Sequence, residues 1–212
     1  MTACKLLGGI GFLIGLAGLV LQFGISVPLF MAAGNSLPGA VLKYFSYFTI
    51  LTNIALVLVY LSDLISTSWL SWFRSPVTRG MMAAAMTLVM SFYHFVLAAA
   101  WNPQGLLLVC DITLHYITPI VYLLWWGLLA PHRLLAWRNV PAMIVPSTVY
   151  VAYAMIRGAI ISEYPYPVLE ANRLGYGAVL TNVAVLLAGF VMLCAIVVAL
   201  DRVLPKRETA ID

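Results

Sequence analysis

Long apolar runs alternate with short polar breaks along the whole chain. Six runs reach the length of about 20 residues that a helix needs to cross a bilayer. They cover approximately 6–32, 41–66, 80–100, 109–130, 141–161 and 174–203. The breaks between them read "AGNSLPG", "SWFRSPVTRG", "WNPQG", "APHRLLAWRNVP" and "SEYPYPVLEANRLG", each marked by proline, glycine or charge. Hydrocarbon offers backbone amides no partners, so each run must close its own hydrogen bonds as a helix. The pattern predicts an all-α, polytopic integral membrane protein: one domain over residues 1–212 built from six transmembrane helices. The phrases "LTNIALVL" and "LTNVAVLL" look alike, but their flanks differ and no repeat follows.

Composition agrees with the pattern. The chain is 64% hydrophobic and 8% charged, with a mean hydropathy of +1.03, whereas soluble domains carry roughly a quarter charged residues. The apolar run at the N-terminus is longer than the core of a signal peptide, about 7–15 residues, and is read as a retained first span. The net charge of +4 bears on topology rather than on nucleic acid, which is not expected as a partner. With the N-terminus inside, eight of the eleven lysines and arginines fall on the inner side: Lys5, Arg74, Arg79, Arg133, Arg138, Arg202, Lys206 and Arg207. Lys43, Arg157 and Arg173 fall outside. This bias predicts an N-in/C-in protein of the cell membrane. Three scattered cysteines, Cys4, Cys110 and Cys194, suggest neither disulfides nor a metal site, and no cofactor is expected.

The polar residues within the spans change the picture. Ser46 and Thr49 follow Lys43 into the second span, and with Asn53 they repeat at i, i+3 and i+7 on one helical face. His94 lies near the outer end of the third span. Asp111 opens the fourth and His115 follows one turn deeper, so the carboxylate can hydrogen-bond the imidazole. Pro119 has no N–H for the carbonyl of His115, which predicts a kink beside that histidine. Thr181 and Asn182 of the sixth span, Arg157 at the end of the fifth, and Glu163 and Glu170 in the last outer loop complete an outer polar layer. The inner halves read as almost purely apolar. Buried ionisable groups in spans face an interior or a wet cavity and are functional candidates. The plainer alternative is that serine and threonine glue helices together, and that each histidine is a satisfied interhelical hydrogen-bonder.

A hydroxyl, a histidine and a carboxylate are the parts of nucleophilic acyl transfer, in which the imidazole takes the hydroxyl proton and the acid fixes its tautomer. No G-x-S-x-G elbow, H-E-x-x-H metal motif or glycine-rich phosphate loop is present. Two other classes remain open on residues alone. One is a small transporter or ligand-binding protein, with Arg157, Asp111 and the histidines as ligand or proton-relay groups. The other is a structural membrane subunit.

Five stretches, "FSYFTILTN", "YHFVLAA", "LHYITPIVYLLWW", "YAMIRG" and "YPYPVLE…LGYG", together resemble the bacterial Pr6Pr family of six-helix membrane proteins. More distantly they resemble the androgen-induced protein and ADTRP family of animals. The resemblance spans nearly the whole chain in order. It implies an integral-membrane threonine hydrolase of fatty acid esters of hydroxy fatty acids, with its threonine in the second span and its histidine in the fourth. The H-x-x-x-P pattern carries that histidine to His115. The threonine follows a tyrosine and one apolar residue, which fits both "YFS", ending at Ser46, and "YFT", ending at Thr49; residue type favours Thr49. The expectation is therefore a serine/threonine-type lipid ester hydrolase acting on a fatty acyl ester drawn from the bilayer. Thr49 or Ser46 is its nucleophile, His115 its base and then acid, and Asp111 the group that orients His115. Asn53 and Asn182 are the oxyanion candidates, and His94 and Arg157 further pocket groups.

Overall fold

Among the described residues, 3–206 of the computed structural model, backbone pairing is helical and no strand occurs. Arg207, counted above in the charge pattern, lies outside them. The principal helices are α1 (Ala3–Ala32), α2 (Leu37–Tyr44), α3 (Phe48–Leu64), α4 (Pro76–Phe92), α5 (Leu106–Ile112), α6 (Thr118–Leu129), α7 (Val140–Ile161) and α8 (Tyr176–Val203). A π-helical turn, Tyr93–Leu97, extends α4, and a second, Thr113–Ile117, joins α5 to α6. Five helices are long and apolar enough to cross a membrane, or six if the bent pair α2 and α3 counts as one span.

On α1 the small side chains turn inward, while most large apolar ones face outward. Gly8, Gly11, Gly15 and Gly18 form a buried stripe on α1, while Leu13 and Val20 on other faces of the same helix are each 64% exposed. A Cβ at Gly11 would stand 2.4 Å from the Tyr60 ring, and one at Gly18 would stand 2.9 Å from Thr113. The stripe thus lets α1 lie close against α3 and against the π turn that carries His115. Helix α4, with its run of buried residues from Gly80 to Met86, is the most enclosed of the five unbroken spans and packs on α3, α6, α7 and α8. Its core partners include Tyr60, Tyr122, Trp125 and Phe190, all fully buried.

The second predicted span is not continuous. Helices α2 and α3 meet at a bend of 71°, and Phe45–Tyr47 form the break. Nothing in "KYFSYFT" announces it, because neither proline nor glycine lies there. The cause is side-chain competition for the backbone. Ser46 Oγ donates to the Lys43 carbonyl at 2.6 Å, closing the end of α2, and Tyr150 on α7 donates to the Ser46 carbonyl at 2.9 Å. Ser46 therefore does not share a helical face with Thr49, contrary to the spacing argument.

The opposite end of the bundle also departs from expectation, since it is not purely apolar. Arg79 pairs with Asp63 and lies over the Trp125 ring, 5.5 Å from its centroid. His132 Nδ1 stands 3.2 Å from Asp201 Oδ1, and Asp201 Oδ2 accepts from the Leu134 and Leu135 amides at 2.9 and 2.8 Å. These contacts fasten the 130–139 connection to the end of α8.

The close approach at Gly11 generates a stability prediction. Gly11→Ala forces the fully buried Tyr60 ring to move, and overpacking of this kind costs about 1–3 kcal/mol. A thermal scan in mild detergent is expected to show a melting point several degrees lower, whereas Gly9→Ala, whose added Cβ meets nothing within 4 Å, leaves it unchanged.

Candidate active site

Thr49 occupies the first turn of α3, directly after the break, and its Oγ1 lies 3.2 Å from His115 Nε2. His115 sits in the middle of the π turn Thr113–Ile117. The missing N–H of Pro119 is accommodated there by wider i→i+5 pairing, so the expected kink takes the form of a π turn. Wider pairing lets the imidazole reach back over the preceding turn. His115 Nδ1 lies 3.0 Å from the Asp111 carbonyl oxygen and 3.2 Å from Asp111 Oδ1. Both are acceptors, so Nδ1 carries the proton and the lone pair of Nε2 faces the Thr49 hydroxyl. That is the tautomer a general base requires.

Asp111 is not at a helix start, as the sequence suggested. Helix α5 begins five residues earlier, at Leu106, and Asp111 is buried within it. Its second carboxylate oxygen accepts a short hydrogen bond from Tyr93 Oη. Tyr93 also stacks on the His115 ring, with centroids 4.0 Å apart and planes 17° from parallel. The imidazole is thus clamped by face and edge together.

Two cavities meet at this pair. One, narrow at about 80 Å³, runs between α4, α7 and α8 past Val89, Val151, Leu187 and Phe190. The other, about 380 Å³, runs between α1, the break and α5 past Gln22, Ser26, Phe30, Trp101 and Asp111. Thr49, Tyr93, Leu97, His115 and Tyr166 line both. Apolar atoms face most of the first, although Ser147 and Tyr150 line it beside the shared residues, whereas the second adds an amide, a hydroxyl and a carboxylate.

Other expected site residues are placed elsewhere. Ser46 is buried at the α2–α3 break, with its hydroxyl spent on Lys43. Asn53 Nδ2 donates to the carbonyls of Thr49 and Leu114 at 2.8 and 3.2 Å, and its Oδ1 accepts from Thr118 Oγ1. Asn53 lines neither cavity and braces α3 against the π turn, one step behind the pair. Asn182 donates to the Val168 carbonyl at 2.9 Å and holds the last loop onto α8, while the Thr181 hydroxyl returns to the Gly177 carbonyl. Arg157 binds the Glu163 carbonyl and carboxylate, and Lys43 binds the same carboxylate. Burial opposes charge on Glu163, but the two cations outweigh it and hold its carboxyl below the ordinary range. The trio ties the 162–175 loop to α2 and α7. His94 is exposed and pairs with Tyr116 Oη at 3.0 Å, away from Thr49.

Tyr93, Tyr166 and Thr118 were absent from the expected site. A tyrosine beside a histidine in "YHF" is a signal for the first only if one knows which neighbour faces inward. Among the described residues no cluster of histidine, cysteine or carboxylate could hold a metal ion.

Asn53 generates the next prediction. Asn53→Ala removes the brace that joins α3 to the His115 turn and leaves Thr118 only its longer bond to the Leu114 carbonyl, at a cost of about 1–3 kcal/mol. Thermal scans in detergent are expected to register that loss. Comparison with family models, with curated proteins and with solved structures finds no match to this chain.

Proposed function

We propose that this chain is a six-span, N-in/C-in protein of the cell membrane that hydrolyses lipid esters, with Thr49 as nucleophile. The observation that carries the reading is the ordered series Thr49 Oγ1, His115 Nε2, His115 Nδ1 and Asp111, set where two cavities join. An ester with one chain in each cavity brings its carbonyl to the junction. The resemblance to integral-membrane threonine hydrolases points the same way and names fatty acid esters of hydroxy fatty acids as a substrate class.

In the proposed reaction His115 Nε2 takes the Thr49 proton as Oγ1 bonds to the ester carbonyl carbon. The tetrahedral adduct collapses with cleavage of the bond to the alkoxy oxygen, which leaves with the proton from Nε2. Water then attacks the threonyl ester, losing a proton to Nε2, and collapse returns that proton to Thr49 Oγ1 and frees the acid. Asp111 holds the imidazole in the working tautomer and stabilises it when charged. Tyr93 restrains both.

Labelling with a fluorophosphonate and turnover of a lipid ester panel test the reading. Thr49→Ala and His115→Ala are expected to abolish both, and Ser46→Ala to retain most of each because its hydroxyl is committed to the backbone. Undiminished labelling and turnover in Thr49→Ala would remove the nucleophile and the reading with it.

Topology is tested separately. A cysteine placed at Gln104, which is exposed in the 101–105 connection, is expected to react with an impermeant maleimide from outside intact cells. A cysteine at the exposed Arg138 is expected to react only after permeabilisation. The reverse pattern inverts the protein in the membrane.

A further inference from the structure

The arrangement described so far lacks a donor for the oxygen that becomes negative when Thr49 attacks. Asn53 is spent, and Asn182 is held by the last loop. Resting on the hydrolase reading above, we infer that Tyr166 is a catalytic residue whose phenol hydroxyl stabilises the oxyanion, assisted by the amide end of α3.

Three observations carry this. First, Tyr166 lines both cavities at their junction, together with Thr49 and His115. Second, its Oη accepts from the Thr49 amide at 3.3 Å and stands beside the Thr49 hydroxyl. The oxyanion forms one carbon away from Thr49 Oγ1, within the space that the phenol faces. Third, the phenol receives a bond from the nucleophile's own amide and retains its proton for donation. The Tyr150 hydroxyl stands beside it, with its own proton directed to the Ser46 carbonyl. A neutral hydroxyl is a weaker acceptor than an oxyanion, so charge developing at the substrate draws the Tyr166 proton to itself.

Electrostatics supports the assignment. Burial pushes the Tyr166 phenol above its ordinary range, outweighing the bonds from the Thr49 and Phe48 backbone that favour ionisation. The group is therefore protonated at neutral pH and serves as a donor. Accepting the amide bond polarises it further in the donor sense. Thr49 lies in the first turn of the 17-residue α3, and a helix start carries partial positive charge. The break after Tyr44 thus creates both the nucleophile's position and the field that favours its adduct.

The test uses the full chain in mild detergent and compares wild type with Tyr166→Phe. Phenylalanine keeps the ring against Tyr47 and Phe92, each with its centroid 6.0 Å from that of Tyr166. Turnover is expected to fall about 100- to 1000-fold in kcat, as when one oxyanion donor is removed, with KM little changed. A long-chain trifluoromethyl ketone, which forms a tetrahedral adduct, is expected to bind the variant about 100-fold more weakly. The matching ether, which forms none, is expected to bind equally well. A second variant carries a ring-fluorinated, more acidic tyrosine at 166. It keeps the donor's shape, and its activity is expected to fail at lower pH on the alkaline side, where an ionised phenol no longer donates. Retention of kcat within threefold in Tyr166→Phe, equal loss of ketone and ether binding, or an unmoved alkaline limb each overturns the inference. Loss of turnover in Thr49→Ala with retention in Tyr166→Phe rejects this role alone. Undiminished turnover in Thr49→Ala rejects the hydrolase reading and this role together.

Discussion

Between Tyr44 and Phe48 the chain turns through 71° among helices apolar enough to cross a membrane, and every amide group released there needs a protein partner. An unmet backbone group away from water costs several kcal/mol. Ser46 Oγ meets the Lys43 carbonyl, Tyr150 Oη meets the Ser46 carbonyl, and Tyr166 Oη meets the Thr49 amide. These three hydroxyls come from the break itself, from α7 and from the 162–175 loop. The break can exist only where those elements converge, so its requirement for partners fixes the position of the loop and of α7. The Lys43–Glu163–Arg157 ties hold the same loop from its other side. What positions Thr49 is therefore backbone satisfaction, with its approach to His115 as the consequence.

A second departure from regular helix faces the first. Pro119 cannot bond the His115 carbonyl, and the chain widens into a π turn around that histidine. A π turn follows Phe92 as well and carries Tyr93 to the face of the imidazole. Irregular turns of this kind recur at functional sites because they re-aim side chains that a uniform helix would stack elsewhere. Asn53 bridges the two irregular segments by bonding Thr49 and Leu114 backbone at once. The broken start of α3 and the π turn are thus one mechanical unit, with the glycine stripe of α1 pressed against its back.

The fold was legible to the extent that hydropathy dictates it. Apolar length located every long helix to within a few residues, and the Asp111–His115 contact followed from i, i+4 spacing. The α2–α3 break was not legible, because a serine bonds backbone in unbroken helices too, and the tyrosine that takes the Ser46 carbonyl lies on α7 about a hundred positions away. Asn53 and Ser46 were misread for the same reason: polarity marks a residue as needing partners but does not say which partners it finds. The Asp63–Arg79 and His132–Asp201 pairs escaped because they sit at helix ends, where charge reads as surface. Tyr166 escaped because "YPYP" reads as a stiff connector, and only the folded loop turns its phenol back towards Thr49.

The unequal cavities bear on how such a site handles water. On the proposed mechanism a threonyl ester must meet water to turn over, yet a junction open to water on all sides weakens the electrostatic support assigned to Tyr166, Asp111 and the start of α3. The α4–α7–α8 cavity offers water almost no partners, since ordered water needs two to four. The α1–α5 cavity is lined by Gln22, Ser26 and Asp111 together with His115. On the proposed mechanism a chain lodged in the apolar cavity keeps the acyl carbon dry on one side. Departure of the alcohol from the polar cavity then opens the route by which water reaches Nε2. On that mechanism the difference between the two walls sets the order of steps, with water entering from the side that the leaving group vacates.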